Sequence, residues 1–176
     1  MTCFQTRNVS SGDMPVARSA VWEVLTDPRC LTEMTPLLAG ISVDGDRWCW
    51  QLSGIKALGV EVAPSFTEHM VFEEPARITF RHTPPAGQVE RAGADGVYQL
   101  TEAGPDRTHL SIDITLHVDL PLPAMSRRAV ERVMASSMAR TGDVFAERLY
   151  RRLGVDPASI GDGMQSHSQQ VVRAGT

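Results

Sequence analysis

Three side chains in this sequence could do chemistry together: Glu68, His82 and Tyr98. From Val60 the even positions read Val60, Val62, Pro64, Phe66, Glu68, Met70 and Phe72, an apolar file broken by one carboxylate, while the odd positions alternate as Glu61, Ala63, Ser65, Thr67, His69, Val71 and Glu73. After a turn at Glu74-Pro75-Ala76, Ile78, Phe80 and His82 share one face and Arg77, Thr79 and Arg81 the other. A period of two marks strands with one buried face. If the turn pairs Phe72 with Ile78, antiparallel register pairs Met70 with Phe80 and Glu68 with His82, with Cβ atoms about 5 Å apart. A carboxylate beside an imidazole in a dry setting raises the histidine's pKa and makes a general acid/base pair. Tyr98, at a further inward position, would add a phenol donor. Two readings leave the pair without chemistry: a buried ion pair, or one at a cavity mouth that water reaches. A register slip of one residue, as from a bulge near Pro64, would turn Glu68 outward.

Other chemistries find less support. His109, Asp113 and His117 are close in the text, but positions four apart on a strand are about 13 Å apart, too far to share an ion. They fall on the polar side of their strand and are expected to face solvent. Cys3, Cys30 and Cys49 are odd in number and contain no CxxC pair, so they read as reduced thiols in or near the core. There is no GxSxG, phosphate loop or dinucleotide fingerprint. No cofactor and no metal are expected. A net charge of −4 gives no general pull toward phosphate backbones, so nucleic acid is not an expected partner. No apolar run approaches the roughly 20 residues of a bilayer span, and the N-terminus lacks the order of a signal peptide, so no stable membrane insertion and a cytoplasmic location are expected. Arg127, Arg128, Arg132, Arg140, Arg148, Arg151 and Arg152 fall mostly on the outer side of the last predicted helix, as a solvated face or a docking surface.

The elements that must position Glu68, His82 and Tyr98 are legible in order. Thr2 to Ser10 suits a first strand. Asp13-Met14-Pro15 offers a cap and a proline before Val16, Ala20, Val21, Val24 and Leu25 recur at helical spacing up to Asp27-Pro28. A second short helical segment fits between Pro28 and Pro36. Ile41 and Val43, the turn Asp44-Gly45-Asp46, then Trp48, Trp50 and Leu52 read as a hairpin. Pro84-Pro85-Ala86-Gly87 and Ala92-Gly93-Ala94-Asp95-Gly96 are breaker clusters, with a short strand or loop expected between them. Leu110, Ile112, Ile114, Leu116, Val118 and Leu120 alternate cleanly with polar residues. A helix pattern runs from about Ala124 to Leu153, with Val130, Met134, Met138, Phe145, Leu149 and Leu153 as its stripe and Thr141 in register. Residues 155–176 are Ser-, Gly- and Gln-rich and expected to be disordered, leaving one domain over residues 1–154.

This order implies an α+β fold: a curved antiparallel β-sheet of about seven strands, two short helices and one long C-terminal helix, in a helix-grip arrangement. The segment Val16-Ala17-Arg18-Ser19-Ala20-Val21-Trp22-Glu23-Val24-Leu25-Thr26-Asp27-Pro28 and the stretch from Thr108 through Leu122 into the last helix resemble the SRPBCC superfamily, also called START-like or Bet v 1-like, which includes the polyketide cyclase/dehydrase family. The resemblance covers roughly Val9 to Leu153. It implies a deep cavity between sheet and helix that holds a hydrophobic small molecule. The residues agree, since Trp48, Trp50, Phe66, Met70, Phe80, Met134, Met138 and Thr141 would form an adaptable wall, unless they simply fill a core. Three functions fit: a cyclase/dehydrase-like enzyme using Glu68, His82 and Tyr98 without a cofactor, a noncatalytic carrier of a lipid or quinone-like ligand, and an interaction protein using the outer sheet face or basic helix. Oligomeric state is not legible.

Overall fold

The computed structural model describes residues 1–57, 60–156 and 165–169, of which 55–57, 60–62 and 165–169 are described as backbone. Its elements are β1 (Thr2–Met14), α1 (Arg18–Leu25), α2 (Pro28–Met34), β2 (Leu38–Asp44), β3 (Arg47–Leu52), β4 (Ile55–Ala57), β5 (Val60–Val62), β6 (Ser65–Glu73), β7 (Arg77–His82), β8 (Ala92–Gly104), β9 (Arg107–Leu120), α3 (Arg127–Arg152) and β10 (Gln165–Gln169). Eight strands form one antiparallel sheet in the order β10-β1-β9-β8-β7-β6-β3-β2, and β4 and β5 make a separate hairpin. This is the predicted α+β arrangement, with α3 as the single long helix.

The alternation in β9 buries Leu110, Ile112 and Leu120 toward α3, each burial worth roughly 1.5–3 kcal/mol. The stripe of α3 answers with Val130, Phe145 and Leu149, all buried. Two clusters fasten the helix. Phe4, Leu120 and Val130 pack together near its start. Leu149, Phe145, Ala146 and Tyr150 join the main core near its end, with Leu25 and Leu31 of the short helices. Polar contacts repeat the clamp. Arg127 Nη1 donates to the Cys3 carbonyl and its guanidinium lies 5.6 Å from the Phe4 ring centre, while Arg148 Nη1 donates to the Glu33 carbonyl and Arg152 pairs with Glu33 at 3.0 Å. Part of the basic helix face is thus spent on the protein itself.

Several local expectations yield to tertiary pairing. Asp13 and Met14 do not start a helix; β1 stays paired with β9 as far as Met14 and Thr108, and Met14 is buried. The capping carboxylate is Asp27, whose Oδ1 accepts from the backbone N–H groups of Arg29 and Cys30 ahead of α2. The file from Val60 to Phe72 breaks at Ala63-Pro64, before the part that matters: β3 pairs Trp48 with Glu68 and Trp50 with Phe66, so Phe66, Glu68 and Met70 all point inward. Cys3 is exposed, outside the core; Cys30 is buried. Of the tail, Gln165–Gln169 pairs with β1, where composition had suggested disorder; residues 157–164 and 170–176 lie outside the described residues.

The breaker cluster Ala92-Gly93-Ala94-Asp95-Gly96 is the start of a 13-residue strand, not a loop. Small residues sit there because rings lie over them. A Cβ on Gly96 would be 2.5 Å from Phe80 Cζ and 2.4 Å from the Asp113 carbonyl oxygen, and one on Gly93 would be 2.3 Å from His82 Cγ. Gly96→Ala should therefore cost about 1–3 kcal/mol, lowering Tm by roughly 3–10 °C at 2–4 °C per kcal/mol. An unchanged Tm in thermal unfolding would show that the Phe80 ring does not need that space.

Candidate functional site

Between the two clusters that fasten α3, helix and sheet do not meet, and a cavity of about 260 Å³ remains. This is near the lower end of small-molecule sites, about 300–1,000 Å³. Ile112, Ile114, Leu116 and Val118 line it from β9, and Val130, Met134, Met138, Thr141 and Phe145 from α3. The burial pattern follows. Leu110 and Leu149, near the ends, are fully buried, whereas Ile114, Leu116, Met134 and Met138 are half-buried because the surface they expose is cavity wall. Leu37 and Val133 line the cavity and are also exposed, which places its opening between the α2–β2 turn and α3. Leu37 holds φ at 69°, a left-handed conformation that a leucine adopts at some cost in strain.

Of the predicted wall, Trp50, Phe66, Phe80, Met134, Met138 and Thr141 line the cavity. Trp48 and Met70 do not. Trp48 packs on Trp50 and Phe72, Phe72 in turn meets Trp22 of α1 edge-on, and Met70 belongs to the same packed core. The short helices fill that end, so those rings meet protein rather than open space.

Glu68 and Tyr98 line the cavity. Glu68 is 2% exposed. Burial pushes its carboxyl well above the ordinary range, the charge of Asp95 adds to this, and the indole N–H of Trp50 opposes it. That N–H does not reach hydrogen-bond geometry: Trp50 Nε1 and Glu68 Oε2 are both buried without a partner. Tyr98 packs edge-on against Phe80, 5.4 Å between ring centres, and burial followed by the nearby Glu68 pushes its phenol upward. A protonated carboxyl, a phenol and an indole N–H thus offer three donors at one apolar wall. Buried unpartnered atoms such as Glu68 Oε2 and Trp50 Nε1 are destabilising by about 1–3 kcal/mol each, a cost removed when a partner arrives.

His82 is not the partner of Glu68. The strand register is the predicted one, Glu68 opposite His82 and Met70 opposite Phe80. The side chain turns elsewhere. The β7–β8 ladder ends at Phe80 and Gly96, and beyond it the His82 N–H donates to Asp95 Oδ1 while Nε2 lies 2.9 Å from Glu90 Oε2. The physical reason is a competition between two carboxyls. Glu90 accepts from the Thr67 backbone N–H and hydroxyl, both at 2.7 Å, which fixes it where the imidazole reaches it, whereas burial favours the protonated form of Glu68, a weaker partner for the imidazole.

The sequence reading missed four residues of this region. Asn8 and Ser10 line the cavity from β1, and only their pairing with Ile114 and Ile112 reveals the inward face of a strand whose alternation is polar. His117 borders it as well, but its ring lies over Gly93, on the face of β8 and β9 opposite Ala94 and Leu116. Glu90 precedes β8 in a stretch without periodicity. His109 and Asp113 do lie at the surface, paired with Asp13 at 2.6 Å and with Arg7 at 2.6 Å. Among the described residues no group of three His, Cys, Asp or Glu side chains could hold a metal, and no helix is long and apolar enough to cross a membrane.

No family model matches the chain, and no curated protein matches it. Solved structures do. A conserved protein from Geobacillus kaustophilus superposes with a TM-score of 0.63 at 17% identity, covering 92% of this chain and 99% of that one. A START superfamily protein from Mycobacterium smegmatis gives 0.58 at 16%, with 84% and 97% covered. The Zhui aromatase/cyclase from Streptomyces sp. R1128 gives 0.55 at 16%, with 85% and 96% covered. The fold is START-like, as the resemblance implied.

The proton on Glu68 has a measurable consequence. Its folded pKa lies above the unfolded value, so its contribution to stability is fully present below about pH 4.3 and is lost as pH rises toward the folded pKa. Glu68→Gln is neutral at every pH. The variant should match wild type near pH 4 and become progressively more stable than it toward pH 8 in parallel melts. A difference independent of pH would mean that the carboxyl ionises as freely in the fold as in the unfolded chain.

Proposed function

We propose that this protein binds a compact apolar metabolite carrying a carbonyl oxygen and acts on it as a polyketide cyclase/dehydrase-like enzyme. The observation that carries this reading is the pair of unpartnered atoms Glu68 Oε2 and Trp50 Nε1 in residues that line the cavity, with Tyr98 lining the same wall. A plain lipid tail would leave them orphaned. The START-like fold, shared with the Zhui aromatase/cyclase, supports the same assignment.

The mechanism follows from where charge develops. When a proton leaves the carbon next to a carbonyl, negative charge moves onto the oxygen. Donors fixed in a dry cavity stabilise that charge strongly because they need no reorganisation. A carboxylic acid kept neutral by burial, next to a phenol, is suited to this task. Glu68 gives its proton to the oxygen and takes the carbon's proton on its other carboxyl oxygen, so that the enol forms and the carboxyl ends neutral; Tyr98 and Trp50 hold the oxygen in place, and the enol carbon then attacks a second carbonyl of the same ligand. Loss of water from the resulting aldol would complete a ring. The apolar walls fold the ligand and exclude water.

The second reading, a noncatalytic carrier, draws on one observation: His82 has left the Glu68 pair, so the acid lacks the base that the sequence promised it. Deuterium exchange separates the two. With 1-phenylbutane-1,3-dione in D2O, wild type should accelerate loss of the C2 protons over buffer, and Glu68→Gln and Tyr98→Phe should each slow it by about a hundredfold, a typical effect of one acid, with affinity changed less than about threefold. Binding without acceleration would establish the carrier; no binding would remove the ligand cavity from the account.

A further inference from the structure

The cavity has a second polar side, away from Glu68. Ser10 of β1 and Ser137 and Thr141 of α3 line it there, together with Asn8. Among the strands that line the cavity, β1 is the one to which α3 lies closest. Ser10, Ile112 and Tyr98 stand abreast on β1, β9 and β8. Tyr98 is thus two strands from β1, and Glu68, on β6, is four. At about 4.8 Å per strand these are roughly 10 and 19 Å along the sheet, less what its curvature takes off. The wall between is aliphatic: Ile112, Ile114, Leu116 and Val118 of β9, with Ala92 and Ala94 of β8.

The hydroxyls on this side are uncommitted. Ser10 is 7% exposed, yet its hydroxyl has no partner among the described residues. A serine or threonine within a helix either faces solvent or turns its hydroxyl back onto the carbonyl four residues earlier. In the short helices Thr26 and Thr32 do the latter, bonding the carbonyls of Trp22 and Pro28 at 2.8 Å. Among the described residues Ser137 and Thr141 make no such bond, although they are half-buried and line the cavity. Four residues apart, they lie on one face of α3. Charge is missing here. Of all Lys, Arg, His, Asp and Glu side chains among the described residues, only Glu68 and His117 line the cavity, and the His117 ring lies over Gly93 on the outer face. A carboxylate or phosphate would therefore be buried on this side without a cation to pair with it, at a large cost.

We infer that Ser10, Ser137 and Thr141 form a second subsite, which selects ligands carrying an uncharged hydroxyl or carbonyl group at the end remote from the carbonyl that Glu68 receives. Hydroxyls both donate and accept, so a phenol and a ketone fit equally. The substrate class narrows to an apolar body with a neutral oxygen at each end, laid across the aliphatic residues of β9. This deepens the proposed function and rests on it for the placing of the first carbonyl.

Titration calorimetry with two synthetic ligands tests the subsite: 1-(6-hydroxynaphthalen-2-yl)butane-1,3-dione and the parent compound without the hydroxyl, in slightly acidic buffer where the naphthol is uncharged. Wild type should bind the hydroxylated compound about fivefold more tightly, the yield of one neutral hydrogen bond. Ser10→Ala and Thr141→Val should each reduce that preference, and together erase it, while the parent's affinity changes little. Glu68→Gln should leave the preference intact. No preference in wild type, or one that survives the double variant, would overturn the subsite. The analogue with a carboxylate in place of the hydroxyl should bind no more tightly than the parent; tighter binding would overturn the neutral class. Deuterium exchange at C2 keeps the two proposals apart. A Ser10-dependent preference without exchange refutes the enolisation and leaves the subsite standing, whereas exchange without preference does the reverse. If neither compound binds, both proposals fall.

Discussion

A long helix can lie across a curved sheet without touching its centre only if it is held at both ends. In this protein the ends are held by different means. Phe4, Leu120 and Val130 close one, with Arg127 reaching across to the first strand, and Phe145, Leu149 and Tyr150 close the other against α1 and α2, with Arg148 and Arg152 gripping Glu33. Between these clamps the apolar stripes of β9 and α3 face each other across open space. Close packing is the rule in protein interiors, so a dry gap lined by methionines and aliphatic side chains gives up contacts that a filled core would make. Everything functional depends on that gap.

Its electrostatics follow from two glutamates treated oppositely. Glu68 is on an inward strand position with no donor in hydrogen-bond geometry, and desolvation keeps its proton on. Glu90 receives two hydrogen bonds from Thr67 and meets the His82 imidazole. One residue separates the strand positions that meet them: Thr67, bonded to Glu90, is next in sequence to Glu68. Parity along β6 sends the two neighbours to opposite sides. His82 turns to the carboxyl that Thr67 holds in place.

The fold was legible because its signals are repetitive. A strand whose even residues are Leu, Ile, Ile, Leu, Val and Leu can be buried only one way, and a thirty-residue stripe must cover something large. The Glu68–His82 register was legible as well, because a tight turn transmits register along the ladder. What sequence could not give was the direction of a side chain at a strand's end, where the ladder no longer constrains it. His82 went to Glu90, which lies in a loop with no period to reveal it. Small residues that read as a break were in fact space made for rings. Likewise the mixed residues of β1 did not reveal that Asn8 and Ser10 face inward, because β1 takes its orientation from β9.

The central claim is that an uncharged carboxyl stands unpartnered at an apolar cavity. Infrared difference spectroscopy of wild type against Glu68→Gln addresses it most directly. The account predicts a protonated-carboxyl C=O band that persists at pH values well above the usual glutamate midpoint of about 4.3, is absent from the variant, and shifts in frequency when 1-phenylbutane-1,3-dione binds. A carboxylate band in its place at those pH values, unaffected by the ligand, would contradict it.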